Sequence, residues 1–205
     1  MTRIKICGLM TEEDIRSINE ARPDYCGFIV EYPKSRRNVS KDQVERLVRL
    51  LEPEILPVGV FVNAPPFLPA KMANEGTIRA IQLHGQEDAF YLQRLRKLTD
   101  APVIQAFSIA TEKDVEAAQR SEADWVLLDH GSGGTGESFD WNLIKNMERP
   151  FFLAGGLTPE NLVRAVHTAK PWAVDLSSGV EKNGRKDAQK IRAAVEAVRK
   201  IKGKE

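Results

Sequence analysis

The chain has 205 residues, 42% hydrophobic and 29% charged, which is enough apolar material for one domain with a sizeable core and excludes a disordered chain. Lys and Arg total 30 against 29 Asp and Glu, a net charge of +1. That balance excludes bulk attraction to nucleic acid or to an anionic membrane, so any anion site must be local.

Short apolar runs alternate with amphipathic segments from end to end. Strands are expected at 3–7, 25–30, 56–62, 78–83, 102–107, 124–128, 151–154 and 172–176. Each is expected to be followed by a helix. Thr11 precedes Glu12, Glu13 and Asp14, acidic residues that complement the dipole of a first turn. Ser40 opens a segment with Val44, Leu47, Val48 and Leu51 at helical spacing. Pro66 and Pro69 bracket the start of a third helix, and Thr111 with Asp114 resembles a capping box. Thr158-Pro159-Glu160 places a proline at a first helical position. The last helix, about 187–201, carries Ile191, Ala194, Val195, Val198 and Ile201 on one side.

Regular alternation of strand and helix argues for a parallel sheet, because parallel neighbours need crossover helices. Eight units in 205 residues average about 25 residues each, at the short end for a (β/α)8 TIM barrel, whose range begins at about 200. A doubly wound open sheet is the runner-up, but Gly8 stands alone after the first strand with no G-x-G-x-x-G. The expectation is therefore a single (β/α)8-barrel domain spanning 1–205. Two cysteines without a Cys-x-x-Cys pair or Cys/His cluster give neither a disulfide framework nor a zinc pattern. Met1-Thr2-Arg3-Ile4-Lys5 enters a strand without a long apolar leader, and no apolar run approaches bilayer length. A soluble, cytoplasmic protein is expected.

Several strand ends carry chemistry. Cys7 ends the first strand; a lone cysteine in an apolar run is usually a small buried hydrophobe. Lys5 shares its face, and Asp175 on the last strand neighbours the first in a closed barrel, so a Lys5–Asp175 pair is expected to neutralise two buried charges. Arg36 and Arg37 follow the second strand; taken alone they read as surface, although an arginine at the rim offers a planar fork for a carboxylate. Gln82 and His84 flank Leu83 and point the same way, which suits a positioning role.

Asp129 ends the Trp125–Leu128 run. At the C-terminal end of a barrel strand a carboxylate reads as catalytic more often than structural. The glycine-rich loop 131–136 after it is a candidate mobile cover. Late in the chain, Gly155-Gly156 and Ser177-Ser178-Gly179 follow strands seven and eight, where this fold recurrently binds phosphate. Glycine lets backbone approach an anion, a helix N-terminus adds partial positive charge, and both serines are expected to add hydroxyl donors.

Taken in order, Lys5-Ile6-Cys7-Gly8, Pro33-Lys34-Ser35-Arg36-Arg37-Asn38-Val39-Ser40, Val58-Gly59-Val60-Phe61-Val62-Asn63, Gln82-Leu83-His84-Gly85, Leu127-Leu128-Asp129, Gly133-Gly134-Thr135-Gly136, Phe139-Asp140-Trp141, Ala154-Gly155-Gly156-Leu157 and Asp175-Leu176-Ser177-Ser178-Gly179-Val180-Glu181 resemble the phosphoribosylanthranilate isomerases of tryptophan biosynthesis. The resemblance spans almost the whole chain. It implies a compact barrel that carries out an Amadori rearrangement of N-(5′-phosphoribosyl)anthranilate, without cofactor or metal, as a monomer or homodimer. It implies Cys7 as general base, Asp129 as general acid, Arg37 for the anthranilate carboxylate, and the glycine and serine loops for phosphate. An ordinary thiol, pKa about 8.5, is only about 3% thiolate at pH 7, a poise costing about 2 kcal/mol. A cation such as Lys5 is expected to recover part of it. Asp129 needs a raised pKa to donate a proton near neutrality.

The chain departs from the family at Ile29-Val30-Glu31, where a Phe-rich stretch is common; at Arg36, where proline is common; and at His130. Arg36 and Arg37 both remain candidates for the carboxylate. Indole-glycerol-phosphate synthases and epimerases would show a strand-end lysine acid or metal-binding His and Asp, and neither pattern is present. The histidine-pathway aminoaldose–ketose isomerase would show half-barrel repeats with an aspartate in each. A non-catalytic barrel binding a phosphorylated metabolite would tolerate loss of Cys7 or Asp129.

Overall fold

Strands whose residues are apolar on both faces need cover on both faces, and the first strand shows how this chain supplies it. The computed structural model describes residues 1–130 and 140–201. The strands are β1 (Arg3–Cys7), β2 (Tyr25–Val30), β3 (Leu56–Phe61), β4 (Ala80–Leu83), β5 (Val103–Ser108), β6 (Trp125–Asp129), β7 (Phe151–Leu153) and β8 (Ala173–Leu176). Each pairs in parallel with its neighbours in chain order, and β1 pairs with both β2 and β8. The sheet therefore closes into the expected (β/α)8 barrel. The glycine-rich loop 131–136 lies outside the described residues.

Ile4 and Ile6 on β1 join the layer between sheet and helices, together with Cys26, Phe28, Val126, Leu128, Val174 and Leu176. Each large apolar side chain buried there stabilises the fold by about 1.5–3 kcal/mol. Burial also pushes the Cys26 thiol far up, so that cysteine behaves as a small hydrophobe. The alternate residues fill the barrel itself. Tyr25, Val58, Ala80, Ile104, Leu127, Phe152 and Ala173 form a separate inner cluster. Trp125 stacks on Trp172 at 5.2 Å, and the Arg3 guanidinium lies 4.3 Å from the Trp172 ring. These aromatic groups plug the end from which the strands start, leaving the opposite end for a site.

The helices are α1 (Glu12–Ala21), α2 (Lys41–Val48), α3 (Phe67–Asn74), α4 (Ala89–Arg96), α5 (Glu112–Gln119), α6 (Leu162–Ala169) and α7 (Ala188–Lys200). Thr11 and Asp14 form a reciprocal capping box, with the Asp14 N–H donating to Thr11 Oγ1 at 3.1 Å and the Thr11 N–H donating to Asp14 Oδ2 at 3.0 Å. Ser40 caps α2 through the Gln43 N–H. No described helix is long and apolar enough to cross a membrane.

Two helical expectations are corrected. Where a helix was expected after β6, the described residues hold one 3-10 turn, Trp141–Ile144. Asp140 caps that turn through the Asn142 N–H, and Pro150, which cannot donate a helical hydrogen bond, immediately precedes β7. Pro159 does not open α6, which starts at Leu162. Asn161 instead folds the preceding segment into a turn, accepting from the Thr158 N–H at 2.9 Å and donating to the Gly156 carbonyl at 2.8 Å.

Gly27 on β2 is paired with Cys7 across the seam with β1. A Cβ there would sit 2.7 Å from Cys7 Sγ and 3.2 Å from Lys5 Cε and Nζ. Lys5 is tethered by Asp175 and cannot yield freely. Gly27→Ala is expected to destabilise the fold by about 1–3 kcal/mol through overpacking, measured by urea unfolding. A change below about 0.5 kcal/mol, the scale of a neutral surface substitution, would contradict this packing.

Candidate active site

Period-two alternation brings one inward side chain per strand to the open end of the barrel. Cys7 on β1, Ile29 on β2, His84 after β4, Asp129 on β6, Ala154 after β7 and Ser177 after β8 share a cavity of about 330 Å³, a size suited to a small ligand. Arg37, Gln82, Gly155, Gly156, Asp175 and Ser178 line it too. Of the glycines and serines expected at the phosphate loops, Gly179 alone does not line it. A Cβ on Gly179 would lie 1.9 Å from the Leu157 carbonyl oxygen, so this glycine lets the loops after β7 and β8 pack together.

Lys5 and Asp175 pair as the register demands. Lys5 Nζ donates to both carboxylate oxygens at 3.0 Å, and the lysine is wholly buried. Burial alone would lower the Lys5 pKa, but the charges of Asp175 and of a Cys7 thiolate raise it, so the ammonium persists. Burial pushes the Cys7 thiol up; the Lys5 cation pulls the other way and Asp175 adds to the rise. The expected help from Lys5 is present but is outweighed.

The Asp129 carboxyl keeps its proton to a higher pH than an ordinary aspartic acid. Burial raises its carboxyl to about 6 against the pull of the His130 N–H, and Asp175 adds to the rise. The His130 N–H donates to Asp129 Oδ1 at 2.7 Å. Gly155, at φ 84°, follows β7 in a left-handed conformation that suits glycine. A Cβ there would meet Asp129 Oδ1 and the His130 nitrogen at 2.8 Å. The glycine thus makes room for the acid as well as a bare backbone rim.

Gln82 donates its amide to His84 Nδ1 at 2.8 Å, which fixes the Nε2–H tautomer. Burial lowers the His84 pKa, so the ring is neutral. Its Nε2 lies 3.7 Å from Asp129 Oδ2, a neutral dipole beside the acid. Gln82 Oε1 is buried without a partner among the described residues, which leaves an acceptor for a ligand N–H or O–H.

The two arginines separate. The Arg36 side chain is 58% exposed and the Arg37 side chain 9%, and only Arg37 lines the cavity. Gly8, at φ 82°, allows this: a Cβ there would sit 2.5 Å from Arg37 Cδ. Glu31 turns away from the mouth and accepts from the Lys41 N–H at the start of α2. The Ser177 hydroxyl is not a free donor, because it donates to the Cys7 carbonyl at 3.0 Å. Ser178 also lines the cavity.

Two groups escaped the sequence reading. Glu181 and Lys186 face each other across the hairpin Glu181–Lys182/Arg185–Lys186 that follows β8. Glu181 accepts from Arg37 Nε at 2.6 Å and from Lys186 Nζ at 2.9 Å. Burial would raise its carboxyl, but the Arg37 hydrogen bond and the Lys186 charge hold it at about 2. The hairpin's alternating charges look like solvated surface in sequence. The signal was Glu181 closing the Ser177–Glu181 motif.

Comparison with known proteins places the chain in one group. The family model for N-(5′-phosphoribosyl)anthranilate (PRA) isomerase matches residues 4–197. The N-(5′-phosphoribosyl)anthranilate isomerase of Endomicrobium trichonymphae is 42% identical over 98% of this chain and 100% of its own. A crystal structure of phosphoribosyl anthranilate isomerase in complex with reduced 1-(o-carboxyphenylamino)-1-deoxyribulose 5-phosphate superposes with TM-score 0.86 at 35% identity, covering 98% of this chain and 100% of that one. A structure of monomers generated from the dimeric isomerase of Thermotoga maritima gives 0.85 at 35% identity, with the same coverage.

The raised Asp129 pKa is also a statement about stability. An unfolded Asp has a pKa of about 3.9, while the folded one lies at about 6. Between these values the folded state binds more protons, so stability falls as pH rises from about 4 to 6 and stays low above that. Asp129→Asn keeps the acceptor for the His130 N–H and removes the buried charge. It is expected to gain about 1–3 kcal/mol near pH 8 and nothing near pH 4, measured by urea unfolding in each buffer. An equal change at both pH values would contradict the assignment.

Proposed function

The chain belongs to the N-(5′-phosphoribosyl)anthranilate isomerase family, and from that premise we propose that Cys7 and Asp129 are the base and acid of its reaction. The protein is an isomerase of tryptophan biosynthesis. Its substrate is N-(5′-phosphoribosyl)anthranilate and its product 1-(2-carboxyphenylamino)-1-deoxyribulose 5-phosphate. The observation that carries the residue roles is a thiol and a carboxyl of opposite function on strands three places apart around one barrel, both facing one cavity.

Asp129 protonates the furanose ring oxygen, and the C1′–O bond breaks with its electron pair going to that oxygen. The anthranilate nitrogen supplies the electrons that replace it, giving an iminium. The cation acidifies the C2′–H. The Cys7 thiolate removes this proton, and the C–H electrons form the C1′–C2′ double bond of an enolamine, which tautomerises to the amino ketone. A carboxyl titrating at about 6 donates far more readily near neutrality than an ordinary aspartic acid. A thiol pushed up by burial is a stronger base once ionised, although it is ionised in only a minority of molecules.

Arg37 supports binding of the anthranilate carboxylate through its planar fork. The rim of Gly155, Gly156 and Ser178 suits the phosphate, Gln82 Oε1 suits a substrate hydroxyl or amine hydrogen, and His84 offers a neutral Nε2–H beside the acid. Asp175 acts on the substrate through Lys5 and the charges it sets. The barrel serves as one catalytic unit in the cytoplasm. The dimeric state named for the Thermotoga maritima relative makes a homodimer the favoured assembly over a monomer.

The test follows loss of phosphoribosylanthranilate fluorescence. Wild type is expected to turn over. Cys7→Ala and Asp129→Asn are each expected to bind the reduced product analogue yet fall about 10²–10⁴-fold in kcat. Full turnover by Cys7→Ala removes the proposed base.

A further inference from the structure

Glu181 and Lys186 take no part in the proton transfers, yet both are deeply buried. Their side chains are 6% and 2% exposed. Burying a carboxylate and an ammonium beside an active site is costly for stability, and apolar residues would serve a merely structural hairpin as well. What this pair does hold is Arg37, together with the exposed Arg36, whose Nη2 donates to Glu181 Oε2 at 2.7 Å from outside the cavity. Glu181 Oε1 accepts from Arg37 Nε at 2.6 Å and Glu181 Oε2 from Arg37 Nη2 at 3.1 Å. A guanidinium has five N–H donors. Glu181 uses Nε–H and one Nη2–H, which leaves the Nη1 hydrogens and the other Nη2 hydrogen as a second fork. Arg37 lines the cavity.

The electrostatics agree with this division. Lys186 Nζ donates to Glu181 Oε1 at 2.9 Å, so the carboxylate is neutralised and Arg37 keeps its attraction for an incoming anion. Lys186 also donates to the Ser177 carbonyl at 2.9 Å, and Lys190 Nζ donates to the Glu181 carbonyl at 2.8 Å. The same arm therefore fixes Arg37 relative to the loop after β8. A substrate with a carboxylate at one end and a phosphate at the other needs both anchors held at a set separation, because misplacement at one end is felt at the reacting carbons.

We propose that Glu181, backed by Lys186, is a positioning residue that grips Arg37 by one edge and presents its other edge to the aromatic carboxylate of the substrate. This rests on the assignment of Arg37 to that carboxylate. Glu181 itself does not touch the reacting atoms.

The experiment compares the dissociation constants of two ligands, reduced 1-(o-carboxyphenylamino)-1-deoxyribulose 5-phosphate and its counterpart with an unsubstituted phenyl ring. In Glu181→Gln the carboxylate ligand is expected to weaken about 10- to 100-fold while the phenyl ligand changes by less than about threefold, as expected for losing a charge-assisted, oriented contact. KM is expected to rise more than kcat falls. Equal weakening of both ligands, or no change in either, overturns the proposal. Glu181→Asp keeps the charge on a shorter arm and guards against misfolding of the first variant. It is expected to recover part of the preference for the carboxylate ligand, and a preference no greater than in Glu181→Gln counts against the proposal. Arg37→Ala separates the two levels. If it retains the preference, the assignment of Arg37 is wrong. If it loses the preference while Glu181→Gln keeps it, only the role of Glu181 fails.

Discussion

The rest of this structure depends on one buried ion pair. Among the described residues Lys5 is the one lysine in the set of largest fully buried side chains, and its ammonium meets both oxygens of Asp175 at 3.0 Å. The two residues are direct partners in the register of β1 and β8, the seam that closes the ring. An isolated charge at that depth would neutralise itself by shifting its pKa. As a pair each justifies the other, and breaking either partner leaves an uncompensated buried charge. The pair therefore ties barrel closure to the electrostatics of the cavity above it.

Its influence reaches three titrating groups at the mouth, Asp129, Cys7 and His84. Asp175 adds to the desolvation that lifts Asp129 to about 6. Lys5 and Asp175 act on Cys7 in opposite senses, so the cation beside the thiol does not make it a ready thiolate. They act on His84 in opposite senses too, and burial decides in favour of the neutral ring. The result is an acid that can hold its proton near neutrality and a base ionised in a minority of molecules. A minority thiolate of high basicity and a majority thiolate of low basicity are alternative solutions to one problem, and this barrel takes the first.

Much of this was legible in the residue order. Period-two alternation placed Lys5 with Cys7 and Gln82 with His84, and strand-end position marked Asp129 and the late glycines. The barrel followed from eight alternating units, and the Lys5–Asp175 pair followed from closure. What failed was whatever depends on who else is present in space. Ser177 reads as a hydroxyl donor for an anion, but the Cys7 carbonyl, distant in sequence, takes its hydrogen. Arg36 and Arg37 are indistinguishable in sequence, and Gly8 decides between them by leaving room for Arg37. Glu181 and Lys186 look like solvated charges until the hairpin folds them under Arg37. Among the described residues a 3-10 turn, Trp141–Ile144, stands where a helix was expected after β6, and periodicity does not separate the two.

The central claim is that burial raises the Cys7 thiol and that the Lys5–Asp175 pair tunes that rise, Lys5 pulling the thiol down and Asp175 pushing it up. The most direct test is a thiolate absorbance titration of Cys7 in the wild type and in Asp175→Asn, each corrected with the matching Cys7→Ala protein. The account predicts a wild-type thiol that titrates above the ordinary cysteine value and one that drops by at least about one pH unit when the Asp175 charge is removed and Lys5 is released. A wild-type thiolate already formed below neutral pH, or a titration indifferent to Asp175, would contradict it.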